Sequence, residues 1–401
     1  MSRFGNSLLA VGGVLLASAC GDDPVNIDPP SGDEANLEAA LGASSQSTQN
    51  TIQEMFAVID AHESLPEHFT DPQALVEAIR AAGGVALIGV KPEGAPRYAE
   101  RVTGSPGARM ATVFRVGESE MLAVRRDLRS AGAEVLRTFR SLPIVVAGID
   151  PEQALRLDSL PFVDYMEPNI EYTLAISEGS PGAARASAFP GQTTPENIRK
   201  VRAESAWDVN DGEGAWLVFL DGGLVGGESG HHPDLADVDE CWSTHSDADD
   251  TDCTDDLGSS HSRYSHGTKV VGVAMAGDNA SHVVGVAPGV DDWGMVRVCA
   301  PGCEMDAVID ALDSLATNGR KDIINMSFSG PTGSVAVSTA VSGAWNSGDL
   351  LVGAAGNAGV GTIEYPARYS SVVAVSGTTA SDGLHEDSNY GADVDVSPHP
   401  T

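Results

Sequence analysis

Ser265-His266-Gly267-Thr268-Lys269-Val270-Val271-Gly272-Val273-Ala274-Met275-Ala276-Gly277, followed by Gly285-Val286-Ala287-Pro288, is the stretch on which the reading of this chain turns. A histidine opens a run of small and β-branched residues whose glycines let a helix pack close to its neighbours. On the first turn of such a helix the imidazole projects into the crevice that the helix borders, and imidazole exchanges protons near neutral pH. Upstream, Ala215-Trp216-Leu217-Val218-Phe219-Leu220-Asp221 reads as a fully buried strand ending on an aspartate. Downstream, Asp322-Ile323-Ile324-Asn325-Met326-Ser327 and Leu350-Leu351-Val352-Gly353-Ala354-Ala355-Gly356-Asn357 are two more apolar runs with polar ends. Three buried strands thus deliver Asp221, Ser327 and Asn357 to their carboxyl ends, where open parallel sheets place ligand sites. Between them Val308, Ala311, Leu312 and Leu315 follow a helical period up to Asn318-Gly319, and Val337, Ala340, Val341 and Ala344 repeat it before Gly348. Helices alternating with buried strands predict an α/β fold, a doubly wound parallel sheet with helices on both faces.

Four patterns stand in a fixed order along this framework. They are Leu220-Asp221-Gly222-Gly223 with His232-Pro233-Asp234-Leu235, then His266-Gly267-Thr268, then Ile324-Asn325-Met326-Ser327, then Ala354-Ala355-Gly356-Asn357. Together they resemble the subtilisin-like serine peptidases, the subtilase (peptidase S8) family. That resemblance implies hydrolysis of peptide bonds through an acyl-enzyme, with a triad in the order aspartate, histidine, serine, so Asp221 and His266 match its first two members. His266 would take and return the hydroxyl proton, and Asp221 would hold its tautomer. Asn357 matches the oxyanion-hole asparagine. Ser327, Phe328, Ser329 and Gly330 match the segment that pairs with extended substrate and lines the specificity pocket, Phe328 standing where leucine is usual, and Gly356 is expected with them among the substrate-binding residues. The loop Gly277 to Val283 has the length of the family's calcium loop, with Asp234 and Asn279 as side-chain ligands; a bare turn is the alternative.

The family's nucleophile lies in Gly-Thr-Ser-Met-Ala-Ser-Pro-His, and no such string occurs among the 401 residues. Ser397-Pro398-His399 echoes its end, but Val394 stands at the reactive position. The chain as given is therefore expected to be inactive. The alternatives are a non-catalytic exported peptide-binding protein and a truncated reading frame.

The first residues carry one early positive charge, Arg3, and an apolar stretch from Leu8 to Ala19 that is short for a membrane span, which predicts a signal peptide over residues 1–20. Leu16-Ala17-Ser18-Ala19-Cys20 resembles a bacterial lipoprotein box and implies a lipidated Cys20 anchoring an exported protein to the cell envelope; plain cleavage and secretion is the alternative. Residues 21–70 begin acidic and rich in Pro, Gly, Ser and Gln, and read as a disordered tether. With 57 acidic against 23 basic residues the chain disfavours nucleic acid and anionic membrane surfaces, leaving a lipid anchor as its membrane contact.

Over residues 71–174 the pattern reads β-α-β-β-α-β, with strands at Gly84–Val90, Glu134–Thr138, Ile144–Ile149 and Val163–Asn169 and helices at Glu118–Ala131 and from Pro151, while Ala111–Val116 competes for the first strand. This ferredoxin-like order resembles the inhibitor I9-like propeptide of subtilases, an intramolecular inhibitor whose tail lies in the cleft. An unrelated small α+β domain is the alternative. Residues 175–194 form the expected processing linker and 195–401 the peptidase domain, whose partners would be protein or peptide substrates. Cysteines in an exported chain pair. Local pairing, Cys241 with Cys253 and Cys299 with Cys303, is expected over the crossed alternatives. Spacing and compartment argue against zinc, and His245 and His261 are expected as surface residues.

Overall fold

The run Leu217 to Leu220 has no polar alternation, so both faces of its strand must be covered, which a parallel sheet between helix layers provides. In a computed structural model the chain is described over residues 71–98, 116–175, 191–226, 232–246, 252–255, 266–280, 282–379 and 381–397. The signal segment with Cys20, the tether at 21–70, linker residues 176–190, Ala111 to Arg115, most of the Asp247–Asp252 run, His261, and residues 398–401 lie outside the described residues.

The larger body is a six-stranded, wholly parallel sheet. Its strands are β6 (Trp216–Asp221), β7 (Glu240–Ser243), β8 (Asp292–Arg297), β10 (Ile323–Met326), β12 (Leu350–Ala354) and β13 (Val372–Val375), in the order β13-β12-β10-β6-β8-β7. After the short helices α4 (Glu196–Lys200) and α5 (Glu204–Trp207), helices α6 (His266–Met275), α7 (Met305–Ala316) and α8 (Val335–Ser347) connect and cover it. Gly348 ends α8 with φ 104°, the left-handed conformation expected of a helix-ending glycine. Two apolar layers result. Phe219, Leu217, Val271 and Trp293 belong to the layer that contains α6, and Val218, Leu220, Leu312, Ala340 and Val341 to the layer beneath α7 and α8.

The smaller, N-terminal body is antiparallel. Its sheet joins β1 (Val85–Val90), β2 (Glu134–Thr138), β3 (Ile144–Gly148) and β4 (Val163–Pro168) in the order β2-β3-β1-β4. Helices α1 (Pro72–Ala81), α2 (Glu118–Ser130) and α3 (Ala154–Asp158) pack on it through Ile79, Leu128 and Leu157. The β-α-β-β-α-β order is as the periodicity reads, with β1 in the first-strand role. Helix α1 ahead of it was not anticipated. Among the described residues no helix is long and apolar enough to cross a membrane.

The two bodies share one core, since Leu87, Ile144, Val146 and Tyr165 lie in the same apolar cluster as the α7 and α8 residues. Polar contacts fix the register of this junction. Glu167 of β4 is 1% exposed and accepts from Ser334 Oγ (2.7 Å), Val335 N (2.9 Å) and Ala336 N (2.8 Å). A carboxylate placed there satisfies the unpaired N–H groups that open α8 and lies at the positive end of its dipole. Asn169 exchanges two hydrogen bonds with Asp306 on the first turn of α7, and Asp313 of α7 accepts from the backbone N–H groups of Arg140 and Ser141.

Removing the Glu167 carboxylate leaves the Ser334 hydroxyl and two helix N–H groups buried without their acceptor. Such a loss costs roughly 1–3 kcal/mol. Glu167→Ala is therefore expected to lower the denaturant midpoint of unfolding clearly and Glu167→Gln to lower it less, and an unchanged midpoint for both would contradict this reading of the junction.

Candidate active site

Strand β6 ends on Asp221, whose carboxylate is fully buried. Its Oδ1 accepts from Gly222 N at 2.7 Å and lies 2.8 Å from His266 Nδ1. The approach depends on two glycines. A Cβ at Gly267 would collide with the Gly223 carbonyl and stand 3.2 Å from Asp221 Oδ1. Gly223 itself turns through φ 99° against the Cys253 carbonyl. The Asp-Gly-Gly and His-Gly-Thr strings are thus two halves of one contact. Thr268 Oγ1 adds to it by accepting from Val225 N at 2.9 Å.

Burial of His266 disfavours its charged form. The Asp221 carboxylate opposes this through its charge and its hydrogen bond, a hydrogen bond to the Ala175 backbone adds to it, and the pKa of His266 is held above the ordinary 6.5. With Nδ1 committed to Asp221, Nε2 is the nitrogen left to exchange a proton. Asp221 Oδ2 is buried with no hydrogen-bond partner.

The contact with Ala175 brings the segment after β4 into the site. Strand β5 (Glu171–Leu174) is paired on both sides, between β11 (Phe328–Ser329) and β9 (Gly302–Glu304), in a three-stranded antiparallel ladder. Leu174 is registered with Phe328, Thr173 with Ser329 and with Gly302, and Tyr172 with Cys303. Ala175 N extends the ladder by donating to Ser327 O at 2.9 Å. The Tyr172 ring stacks on Phe328 with centroids 5.9 Å apart, and a Cβ at Gly330 would sit 2.7 Å from the Tyr172 ring. Ser327, Phe328 and Ser329 therefore pair along one edge with β5, an extended segment of the same chain, while Gly330 bonds to Tyr365 and lies against the Tyr172 ring.

Asn357 lies exposed in the turn after β12. The turn is pinned by Asn389, fully buried, whose Oδ1 accepts from Ala358 N (3.0 Å) and Val360 N (3.2 Å) and whose Nδ2 donates to Ala355 O (3.1 Å). Asp234 and Asn279, far apart in the chain, meet. Asp234, 2% exposed, accepts from Asn279 Nδ2 and from Val283 N, both at 3.0 Å. Gln192 joins them, donating from Nε2 to the carbonyls of Gly277 (2.7 Å) and Val283 (3.2 Å). Ala280 and His282 take left-handed φ values of 65° and 48° in that loop.

A carboxylate, two side-chain amides and main-chain carbonyls converge here, the kinds of group from which calcium takes oxygen ligands; Asn279 and Gln192 present Nδ2 and Nε2 to the carboxylate and carbonyls, and would have to turn their amide oxygens inward to hold an ion. Among the described residues no group of three or more His, Cys, Asp or Glu could hold a metal ion.

Disulfides join Cys241 to Cys253 and Cys299 to Cys303. The second spans two functional edges, because Cys299 N donates to Asp221 O (3.2 Å) while Cys303 is registered with Tyr172. His245 is 6% exposed, not a surface residue, and lies beside Glu304. Sequence reasoning missed Gln192, Glu364 and Asn389. Each is a single polar residue outside the family strings, and only the partners brought to it by the fold mark it.

The model of the subtilase family matches residues 212–400. The chain is 30% identical over 283 residues to a thermostable alkaline protease of Halalkalibacterium halodurans, covering 70% of each. It is 35% identical over 201 residues to thermitase of Thermoactinomyces vulgaris (49% of this chain, 67% of that one) and 39% identical over 136 residues to subtilisin DY of Bacillus licheniformis (33% and 49%). The matched residues 212–400 span both the site and the parallel sheet that carries it, and with a relative 30% identical over 70% of each chain they show that the chain belongs to the subtilase family of subtilisin-like serine peptidases.

Proposed function

We propose that Asp221 and His266 are the acid and base members of a serine peptidase triad, that Asn357 donates to the oxyanion, and that the N-terminal body is an inhibitory propeptide seated in the cleft it blocks. One observation carries the reading. His266 holds Asp221 on one side and meets the backbone of an extended peptide at Ala175 on the other. A base of a peptidase needs both contacts, an orienting carboxylate and a peptide group within reach. Neutral His266 would take the proton of an attacking hydroxyl at Nε2, the imidazolium would be stabilised by Asp221, and the proton would pass to the leaving amine.

A second reading is favoured by the sequence itself. The string that carries the family's nucleophile does not occur among the 401 residues. These residues by themselves are proposed to bind a peptide strand without acylating on it. A fluorophosphonate probe, which reacts only with an activated serine, should leave the 401-residue chain unlabelled. Labelling that disappears on Ser397→Ala would overturn this and make Ser397 a nucleophile.

Export is proposed from the signal-like start, with Cys20 as the lipidated residue, and cleavage between the bodies within 175–194. Structural calcium is proposed at Asp234, Asn279 and Gln192 with the neighbouring carbonyls. When bound, the ion would neutralise the buried Asp234 carboxylate and tie residues 192, 234 and 277–283 together. A ligand that binds only the folded form stabilises it, so adding a chelator should lower the thermal midpoint, less so after Asp234→Asn. Equal midpoints with and without chelator would remove calcium from the account.

The pH dependence has a fixed sign. Because folding raises the His266 pKa above 6.5, its proton stabilises the folded site below the unfolded value, and that contribution is lost as pH rises through the folded value. An NMR titration should place the His266 midpoint above 6.5 and move it down in Asp221→Asn. A midpoint at or below 6.5 in the unaltered chain would contradict the pairing.

A further inference from the structure

The crevice beside Ala175 has three sides. Strands β10 and β12 run parallel as neighbours, with Met326 registered to Gly353 at the end of their pairing. Beyond that pair the chain continues as Ser327 to Gly330 on one wall and as Ala355 to Asn357 on the other. Adjacent strands whose continuations part at their carboxyl ends leave a crevice there. Its third side is Glu364-Tyr365, because Glu364 N donates to Ala355 O (2.9 Å) on one wall while Tyr365 exchanges two backbone hydrogen bonds, each 2.9 Å, with Gly330 on the other.

The Glu364 side chain bridges the walls. Its Oε2 accepts from Ser329 Oγ at 2.6 Å, and a Cβ at Gly356 would lie 2.7 Å from the same oxygen. The carboxylate therefore already takes up the space between Ser329 and Gly356. Ala175 stands at the mouth of this crevice, bonded to Ser327 O and to His266, and it carries only a methyl group.

We propose that Glu364 is a specificity-determining residue, which fills the floor of this crevice and restricts the peptide residue that meets His266 to small side chains such as alanine. The inference deepens the proposed peptidase reading and rests on β5 being a tethered occupant of the cleft. Size decides here rather than charge. A large apolar side chain would have to displace a carboxylate held by a hydrogen bond and leave it desolvated, which is costly. A lysine would meet an acceptor already engaged by Ser329, in a space with no room for its stem.

The test needs no nucleophile. The amide N–H of residue 175 is bonded to Ser327 O, so its hydrogen-exchange protection in the full chain reports whether that residue is seated. Ala175→Phe should lower the protection factor by about tenfold or more, the scale on which a pocket rejects a misfitting side chain. Ala175→Phe combined with Glu364→Gly should restore it. Ala175→Lys should also lose protection, and Glu364→Gln, which keeps the size, should leave the ranking of Ala over Phe and Lys unchanged. Unaltered thermal midpoints in these variants would assign the effect to the crevice and not to global unfolding. Full protection with Phe at 175 would overturn the proposal, as would protection with Lys above that of alanine that Glu364→Gln abolishes, which would make charge the selector. Were the wild-type amide unprotected, the tethered-occupant reading would fail instead. Free pentapeptides Glu-Tyr-Thr-Leu-Ala, ending in Ala, Phe or Lys, would then rank the open crevice directly, and a preference for Phe over Ala would sink the role of Glu364.

Discussion

The chain passes between its two bodies as a strand paired on both edges, and the rest of the structure is arranged around that ladder. Glu171 to Leu174 has neighbours on either side, so its backbone groups are satisfied as they would be inside a sheet. Such pairing needs no particular side chains, as the proposed peptide-binding edge would require. Tyr172 stacks on Phe328, and Ala175 ends the ladder at His266.

The ladder is held in place from below and from beside. From below, the parallel sheet carries Asp221 to its carboxyl end, and α6 brings His266 onto it through the glycine contact at Gly267. From beside, the N-terminal sheet is docked on α7 and α8 by Glu167 and Asn169, which close helix ends that would otherwise be unsatisfied. The Cys299–Cys303 bridge joins these supports, since one half-cystine rests on the Asp221 carbonyl and the other pairs with the strand in the cleft. The acidic and helix-dipole contacts set orientation, and the shared apolar core supplies most of the free energy of docking.

Much of this was legible in the sequence because it rests on local pattern. The buried runs ending on Asp221, Ser327 and Asn357 fall on β6, β10 and β12, and the helical periods at 308–315 and 337–344 fall on α7 and α8. The N-terminal strand and helix order also follows from periodicity. What escaped depends on pairing across long separations. The 3-residue strand β9 has too few residues to show a period. Glu167, buried between bodies, reads in sequence as an ordinary charged residue near a strand end. Gln192 and Glu364 acquire meaning only when the loop at 277–283 and the wall at 327–330 are brought to them. His245 reads as a surface residue until β7 and the Met305 helix enclose it.

The central claim is that the segment after β4 sits in the cleft in one register. Glu171 and Glu304 are cross-strand partners in that register, Glu171 being exposed and Glu304 half-buried. Met305 N donates to Ile170 O just beyond them, so they form a non-hydrogen-bonded pair, the class whose opposed side chains stand closest and within reach of a disulfide. Oxidising a chain that carries both Glu171→Cys and Glu304→Cys, followed by peptide mapping, should give a bridge between these two positions in nearly every molecule. A chain in which residue 171 remains alkylatable, or pairs with other cysteines in preference to residue 304, would contradict the account.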